Sequence, residues 1–199
     1  MIIGLAGPKR SGKDYAYYVI KKHFPYAEIE RVAFADPIKE KICDIFNINR
    51  DELENLKTQV DFCIKNKDNS YGSFTGRDLI VGIGTLMRSY NEHQFEDYVK
   101  EIVESNPDKL YICTDVRYQS EVDLIHSYLG GVVVQIQRDG VEYEGTETER
   151  GIKGYDYIIK NDFNYEQNLI TLVGRIILDS FNKSFNKSFN KVNKELKEL

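Results

Sequence analysis

Tryptophan is absent from this 199-residue chain, and methionine, histidine, cysteine and proline are scarce. The three cysteines, Cys43, Cys63 and Cys113, are far apart and form neither a CxxC pair nor a Cys/His cluster. This pattern argues against zinc and against a disulfide framework, and it predicts reduced intracellular thiols with Cys113 buried in a strand. No apolar run approaches the roughly 18 residues of a membrane helix, and no signal peptide is evident. We therefore expect a cytoplasmic protein with no membrane segment.

Excess positive charge is lacking as well, because the net charge is −5 at pH 7. A protein that coats nucleic acid usually has a basic face, so we expect no direct nucleic-acid binding. A local basic pocket for nucleotides is still compatible with this charge. Hydrophobic residues make up 41% of the chain and charged residues 30%. This composition indicates a globular protein, and the length suits one domain with a sizeable core.

The most informative stretch lies near the start of the chain. Residues 2–6 form a short apolar run that predicts a buried strand, and a helical pattern begins after residue 13. Residues 7–13 (GPKRSGK) match the phosphate-loop spacing of Gly, four residues and Gly-Lys. Glycines let the backbone wrap closely round an anion, and the N–H groups of the turn and the helix N-terminus then point at phosphate oxygens. Lys13 supplies a mobile cation for β and γ phosphates.

Asp14 departs from the usual phosphate-loop pattern, in which Ser or Thr follows the lysine and ligates Mg²⁺. As a hard oxygen ligand, the Asp14 carboxylate could hold the ion directly or through water. The alternative is a carboxylate that only stabilises the start of the helix through the helix dipole.

Strand and helix patterns alternate along the chain. Strands are predicted at 2–6, 29–34, 110–117, 131–138 and 155–162. Helices are predicted at 14–23, from Pro37 onward with Asp36 as its cap, and at 76–90, 94–104, 121–129 and 165–178. Residues 47–73 are polar and irregular, with a loop tip at 66–70. This alternation predicts a three-layer α/β/α protein with a five-stranded parallel sheet.

Charged side chains follow several of the predicted strands, where ligands bind in open parallel sheets. Asp115 suits contact with Mg²⁺, and Arg117 suits a bidentate grip on phosphate; the alternative is a mutual ion pair between them. Arg138 closes the next strand. Lys39 lies near the start of its helix, where it is either a phosphate contact or a solvated lysine.

Two later segments carry composition signals. Residues 139–154 are rich in glycine and glutamate, which is typical of a mobile lid or of an ordinary surface loop. The tail, residues 181–199, contains a repeated Ser-Phe-Asn-Lys unit that begins at Ser180. It either continues the last helix with an apolar stripe or frays, and it carries no chemistry.

At residues 7–14 (GPKRSGKD) the chain resembles bacteriophage deoxynucleoside monophosphate kinases. The resemblance continues in order through about residues 1–180, while the repetitive tail lies outside it. Its other matching elements are Pro37-Ile38-Lys39, Arg77 with Gly84-Thr85, residues 114–117 (TDVR), residues 148–151 (TERG) and Asn161-Asp162. This chain is shorter than the phage enzymes, mostly between Phe46 and Arg77, where the pocket for the acceptor base is expected.

The resemblance implies the fold of a P-loop nucleoside monophosphate kinase, with a helical acceptor-binding region at about 36–105 and a lid at 139–154. It implies phosphoryl transfer from Mg·ATP to a deoxynucleoside 5′-monophosphate, in a protein that the phage relatives suggest is a homodimer. The implied ATP-binding residues are Gly7, Lys9, Arg10, Ser11, Gly12, Lys13, Asp14 and Arg138. The implied acceptor-binding residues are Lys39, Arg77, Thr85, Arg88, Asp115, Arg117 and Glu149. The implied metal ligands are Asp14 and Asp115, and the implied catalytic residues are Lys13, Arg117, Arg138 and Arg150.

Two other hypotheses stay open at this point. Animal phosphomevalonate kinase is similar in its Lys-Ser-Gly-Lys-Asp loop, although Gly84-Thr85 matches the phage enzymes better. A nucleotide-binding module without activity is the other alternative. The number of separately placed arginines argues against such a module, because a buried arginine without a phosphate partner destabilises a protein.

Overall fold

A five-stranded sheet, all of whose strands are parallel, organises the chain in this computed structural model, which describes residues 1–57, 60–65, 71–142 and 152–195. The sheet strands are β1 (Ile2–Ala6), β2 (Ile29–Val32), β5 (Leu110–Val116), β6 (Val132–Gln137) and β7 (Tyr157–Lys160). A separate antiparallel hairpin contains β3 (Val60–Lys65) and β4 (Tyr71–Thr75). The α-helices are α1 (Lys13–His23), α2 (Asp36–Phe46), α3 (Arg50–Leu56), α4 (Gly76–Tyr90), α5 (Gln94–Ser105), α6 (Gln119–Asp123) and α7 (Tyr165–Glu195), and a π-helical turn (Leu124–Tyr128) follows α6.

The strand order in the sheet is β2-β5-β1-β6-β7, so β1 is the central strand. It pairs in parallel with β5, where Ile2 lies opposite Tyr111, and with β6, where Ile3 lies opposite Val132. Because the strands are parallel, their carboxyl ends meet at one edge of the sheet. The predicted phosphate loop after β1 and the segments that follow β5, β6 and β7 therefore share that edge.

Helices cover both faces of this sheet. On one face, α1 and α7 pack against Ile3, Leu5 and Val134 through a buried apolar cluster that includes Ile20 and Leu169. On the other face, the π-helical turn lies so close to β1 that a Cβ on Gly4 would meet Ile125 Cδ1 at 2.6 Å. The predicted three-layer α/β/α architecture with a five-stranded parallel sheet is thus confirmed, and it is consistent with a P-loop kinase-like fold.

The chain divides into two units, each with its own contacts. The first contains Met1–Arg31 and Pro107–Leu199, and it holds most of the parallel sheet. The second, Val32–Asn106, contains α2 to α5 and the hairpin. In the second unit, Ile42, Leu53 and Phe62 are buried, and the rings of Phe46 and Phe62 meet edge to face at 4.7 Å.

Several sequence predictions need correction in the second unit. Residues 47–73, predicted as irregular, contain α3 and β3, and β4 begins at Tyr71. Asn49 caps α3 by accepting from the Glu52 N–H, while the Glu52 carboxylate accepts from the Asn49 N–H. Asp36 does not cap α2, because it is the first residue of the helix and Ala35 occupies the N-cap position; the Asp36 carboxylate pairs with the guanidinium of Arg50. The predicted loop tip at 66–70 lies outside the described residues.

The end of the chain is helical over a longer span than 165–178. Helix α7 runs to Glu195, so the described part of the repetitive tail continues the helix. In the first unit, the helix predicted at 121–129 is a short α-helix followed by the π-helical turn. Cys113 is fully buried in β5, as predicted.

Candidate phosphate-binding site

The loop between β1 and α1 has a backbone that few side chains tolerate. Gly7 and Gly12 have φ of 143° and 107°, and Arg10 between them has φ of 66°. A Cβ on Gly7 would meet the Ile136 carbonyl oxygen at 2.4 Å, and a Cβ on Gly12 would meet Asn161 Nδ2 at 2.4 Å. Glycine is therefore required at both positions by conformation and by close approach. This supports the interpretation of the spacing as a backbone cradle.

The ammonium group of Lys13 folds back over this loop. Its Nζ donates to the carbonyl oxygens of Gly7 at 2.7 Å and Pro8 at 2.8 Å. Lys13 is the first residue of α1, with Asp14 next to it in the first helical turn. A cation thus sits beside the helix N-terminus, whose N–H groups lack intrahelical partners. Both features attract an anion.

Three further side chains donate to carbonyl groups of the same loop, and all three follow neighbouring strands of the sheet. Arg138 Nη1 donates to Arg10 O at 3.3 Å, Asn161 Nδ2 to Ser11 O at 2.7 Å, and the Tyr165 hydroxyl to Gly12 O at 3.2 Å. Together with Lys13, these donors engage the carbonyl groups of five loop residues. The acceptors of the loop are used within the protein, which suits a ligand that is itself rich in acceptors.

Ser11 is the unusual side chain of the loop. It is fully buried, and its hydroxyl oxygen has no hydrogen-bond partner among the described residues. The backbone N–H of the same residue donates to Pro8 O at 3.1 Å. A buried hydroxyl without a partner is rare in native proteins and destabilises them by roughly 1–3 kcal/mol.

Two carboxylates predicted to bind metal lie in this first unit. Asp14 is exposed on the first turn of α1, and Asp115 is half-buried near the end of β5. Cys113 Sγ lies 3.7 Å from Asp115 Oδ1, and burial, helped by the negative charge of Asp115, raises the pKa of that thiol well above its usual range. The thiol therefore stays protonated. No group of three or more acidic, His or Cys side chains suited to a metal occurs in the described ranges.

Arg117 and Arg138 follow β5 and β6 and are both exposed. The main-chain N–H of Arg117 donates to Glu121 Oε2 at 2.7 Å. The expectation that the arginines are buried was wrong for Arg117 and Arg138. An exposed guanidinium needs no phosphate partner. A module without activity is therefore not disfavoured on that ground.

The second unit holds the other predicted acceptor residues. The side chain of Lys39 on α2 is only 13% exposed, and its Nζ lies 3.2 Å from Glu54 Oε1. The interpretation of Lys39 as a solvated lysine was wrong, because it is held in this ion pair. Arg77 lies half-buried in the first turn of α4, and Thr85 is exposed on the same helix.

Arg88 is engaged in packing within the second unit. Its Nη1 lies 3.1 Å from Glu96 Oε1, whose side chain is 5% exposed, and its guanidinium lies over the Phe95 ring at 4.9 Å. These contacts join α4 to α5. They give Arg88 a structural role, whereas its predicted contact with an acceptor stays a prediction.

Other predicted residues fall elsewhere. Lys9 is half-buried in the loop. Glu149 and Arg150, with most of the predicted lid, lie outside the described residues. Among the helices of the described ranges, none is both long and apolar enough to span a membrane.

Sequence reasoning did not assign a role to Asn161 or Tyr165. The pair Asn161-Asp162 entered only as part of the family resemblance, and Tyr165 only as the start of a helix. Their contacts with the loop join residues that are about 150 positions apart in the chain. No local pattern could have revealed them.

Comparison with known proteins finds a similarity to a viral protein. No family model matches the chain. Over 184 residues the chain is 28% identical to a protein of Acanthamoeba polyphaga mimivirus named "Putative deoxynucleotide monophosphate kinase". The match covers 84% of this chain and 91% of the viral protein. The chain is thus similar, over nearly the whole of that protein, to a viral protein named as a kinase.

Proposed function

We propose that this protein is a nucleotide kinase that transfers the γ-phosphoryl group of ATP to deoxynucleoside 5′-monophosphates, giving ADP and deoxynucleoside diphosphates. The observation that carries the proposal is the loop of residues 7–13, whose carbonyl groups are engaged by the protein and which is closed by the Lys13 ammonium. The similarity to a viral protein named as such a kinase supports the choice of acceptor. The narrower relation to the phage enzymes remains part of the proposal.

On the donor side, the loop would receive the β and γ phosphates of ATP. Lys13 would move from the carbonyl groups of Gly7 and Pro8 toward the phosphate oxygens, where its charge offsets the charge that develops on the leaving ADP. The Ser11 hydroxyl, unpartnered without a ligand, lies within the same loop. Arg138 contacts the loop at Arg10, and we propose that it also contacts the transferring group.

The residues of the first unit fit a magnesium ion in chemical type. Asp14 and Asp115 offer carboxylate oxygens, which Mg²⁺ prefers, and the ion normally takes its remaining ligands from phosphates and water. When bound, Mg²⁺ would neutralise phosphate charge. The two carboxylates would hold it directly or through water.

On the acceptor side, the phosphate of the monophosphate is itself the nucleophile. One of its oxygens forms a bond to the γ-phosphorus while the bond to the β–γ bridging oxygen breaks. Because this oxygen is already ionised, the reaction asks for orientation rather than for a strong general base. Lys39, Arg77 and Arg117 would grip this phosphate, and Lys39 would then exchange its partner Glu54 for the acceptor.

Closure over the site would exclude water, because otherwise ATP would be hydrolysed without an acceptor. Residues 139–154 are the segment that we propose for this closure, with Glu149 contacting the acceptor and Arg150 contacting the transferring group. If this is correct, the acceptor should suppress rather than stimulate release of inorganic phosphate.

The direct test is incubation of the full chain with Mg·ATP and each deoxynucleoside monophosphate in turn, with chromatographic scoring of the ADP and diphosphate formed. We expect equimolar ADP and diphosphate with at least one of the four acceptors, and loss of both products in Lys13→Ala. Absence of any diphosphate from all four acceptors would contradict the proposal.

Two further arms of the assay separate the alternatives. Phosphomevalonate as acceptor tests for a small-molecule kinase of the same fold. Equilibrium binding of Mg·ATP, measured by calorimetry, tests for a nucleotide-binding module, which would bind ATP and turn over no acceptor. Ribonucleoside monophosphates, run in parallel, show whether the sugar is discriminated.

A further inference from the structure

The connection between β7 and α7 holds the phosphate loop from one side. Asn161 Nδ2 donates to Ser11 O at 2.7 Å, and the Tyr165 hydroxyl donates to Gly12 O at 3.2 Å. These two acceptors are adjacent in the loop, directly before the first residue of α1. The two donors therefore fix the segment in which the loop becomes a helix.

Both donors are themselves held firmly. The Asn161 N–H donates to Gln137 O at 2.6 Å, which ties this residue to the end of β6. Tyr165 is 3% exposed, and its ring stacks with that of Tyr15 on α1 at 6.3 Å. Tyr15 also hydrogen-bonds through its hydroxyl to Glu166, so the first turns of α1 and α7 are joined. A hydrogen-bond donor that is itself held rigidly restricts its acceptor more than a donor on a mobile loop does.

The conformation of Gly12 explains why these two hydrogen bonds matter. Gly12 has φ of 107° and is the N-cap of α1, and no side chain caps the helix there. Its carbonyl group accepts both from the Ala16 N–H at 2.9 Å and from Tyr165. Without the Tyr165 and Asn161 donors, the Gly12 carbonyl group would keep only its hydrogen bond from the Ala16 N–H, and the two peptide groups around Gly12 would be less restricted, because glycine itself restricts neither.

We infer that Asn161 and Tyr165 are positioning residues that hold the carbonyl groups of Ser11 and Gly12 and so keep the loop in the conformation that receives a nucleoside triphosphate. They contact the loop through its carbonyl groups and occupy none of its N–H groups. The inference rests on the proposed function in taking ATP as the ligand, but the loop conformation itself can be measured without ATP.

The test uses Tyr165→Phe, which removes one hydroxyl and keeps the ring, and Asn161→Asp, which keeps the shape and replaces the amide donor by an acceptor. We expect Mg·ATP binding to weaken about 5-fold in Tyr165→Phe, as the loss of one neutral hydrogen bond implies. Asn161→Asp should weaken it about 50-fold or more, because a carboxylate then faces Ser11 O and lies near the triphosphate. At saturating ATP, kcat should stay within about threefold of wild type, because Lys13 is unchanged.

Amide hydrogen exchange measures the loop conformation without ATP, whereas weaker ATP binding at nearly unchanged kcat is the readout that a merely structural role would not produce. In the ligand-free full chain, peptides that cover residues 7–14 should exchange several-fold faster in both variants, with the rest of the first unit unchanged. Matched controls are Tyr157→Phe, whose hydroxyl makes no hydrogen bond among the described residues, and Asn168→Asp, exposed further along α7. Both controls should exchange and bind ATP like wild type.

Wild-type exchange of the loop in both variants would overturn the inference. If ATP binding were weaker all the same, the side chains would contact the nucleotide directly. If Asn161→Asp does not fold, as judged by its thermal transition, Tyr165→Phe alone carries the test. A wild-type chain that forms no diphosphate would refute the proposed function and leave the exchange result to judge the positioning role.

Discussion

At the scale of single residues, Lys13 has two competing uses. Its ammonium group donates to the carbonyl groups of Gly7 and Pro8. Under the proposed function, the same charge is needed at the β and γ phosphates of ATP. The contacts in the structure keep this charge at the loop that would receive those phosphates.

Lys13→Ala should therefore lower kcat by several orders of magnitude while the protein stays folded. The two hydrogen bonds that are lost contribute about 1 kcal/mol each, which a chain of this length tolerates. Steady-state kinetics and thermal unfolding measure the two effects separately. Lys22→Ala, an exposed lysine on the same helix, is the control and should change neither. Activity within about tenfold of wild type would show that Lys13 does not have the assigned role.

Residues of the site differ in how far the sequence could predict them. Gly7, Gly12 and Lys13 were predictable, because a phosphate loop needs these types at a fixed spacing. The ion pairs of Lys39 with Glu54 and of Arg88 with Glu96 were not, because they depend on how helices pack. The same holds for Asn161 and Tyr165, whose partners lie at the other end of the chain.

At the scale of single elements, α4 begins at Gly76 and contains two further glycines in different surroundings. A Cβ on Gly82 would meet nothing within 4 Å, whereas a Cβ on Gly84 would meet Ile38 Cδ1 at 3.0 Å. Gly84 thus allows α2 and α4 to pack closely inside the second unit, and the helix is unbroken at both positions.

Gly82→Ala should stabilise the protein by about 1 kcal/mol, because alanine has the higher helix propensity and nothing obstructs it. Gly84→Ala should gain less or destabilise, since Ile38 must move to accommodate the methyl group. Urea unfolding of the two variants side by side measures this difference, and each serves as the control for the other. Equal stabilisation by both would show that α2 and α4 do not pack as described.

The start of α4 gives a prediction about pH. The Asp78 carboxylate accepts from the Thr75 N–H at 2.9 Å and hydroxyl at 2.7 Å, and these hydrogen bonds lower the pKa of Asp78 below its usual value of 3.8. A lowered carboxyl pKa stabilises the fold above the unfolded-state pKa, and this stabilisation is lost as the pH falls through the folded-state value.

The difference in the free energy of unfolding between wild type and Asp78→Asn should therefore be largest at neutral pH and should shrink below about pH 4. Urea unfolding at a series of pH values measures it. Glu101→Gln, which removes an exposed carboxylate on α5, should show no such change with pH. A difference that stays constant down to the lowest accessible pH would mean that the Asp78 charge does not strengthen its hydrogen bonds with Thr75 at the start of α4.

Elements were predictable where a periodic apolar pattern was long. Helix α4 and α5 and the buried strands β1, β5 and β6 were predicted to within a few residues for that reason. Helix α3 and the hairpin were missed, because their sequence is mostly polar and the apolar alternation around Phe62 is short. The Asn49–Glu52 spacing of a capping box was the signal that could have found α3. The π-helical turn has no recognised pattern in a single sequence.

At the scale of the whole molecule, the boundary at about residue 180 between the predicted kinase domain and its tail stays a prediction. The buried residues of α7 lie early in the helix: Tyr165, Leu169, Val173 and Ile176. Further along, Leu178 is 64% exposed and Phe181 71% exposed. The described contacts with the sheet thus end near Ile176, although the helix continues.

Truncation after Ser180 should consequently leave both folding and catalysis almost unchanged. The removed side chains that the structure describes, at positions 181–183, 186 and 189, are exposed. Removing exposed side chains changes stability by about 0.5 kcal/mol or less, which corresponds to a thermal midpoint within about 2 °C of the full chain. Differential scanning calorimetry and the acceptor assay on the truncated and full chains measure this. Truncation after Leu172, which also removes Val173 and Ile176 from the core, is the matched comparison and should lower the midpoint strongly. If the chain that ends at Ser180 unfolded many degrees lower or lost its ATP-dependent turnover, the repeated segment would be part of the kinase domain.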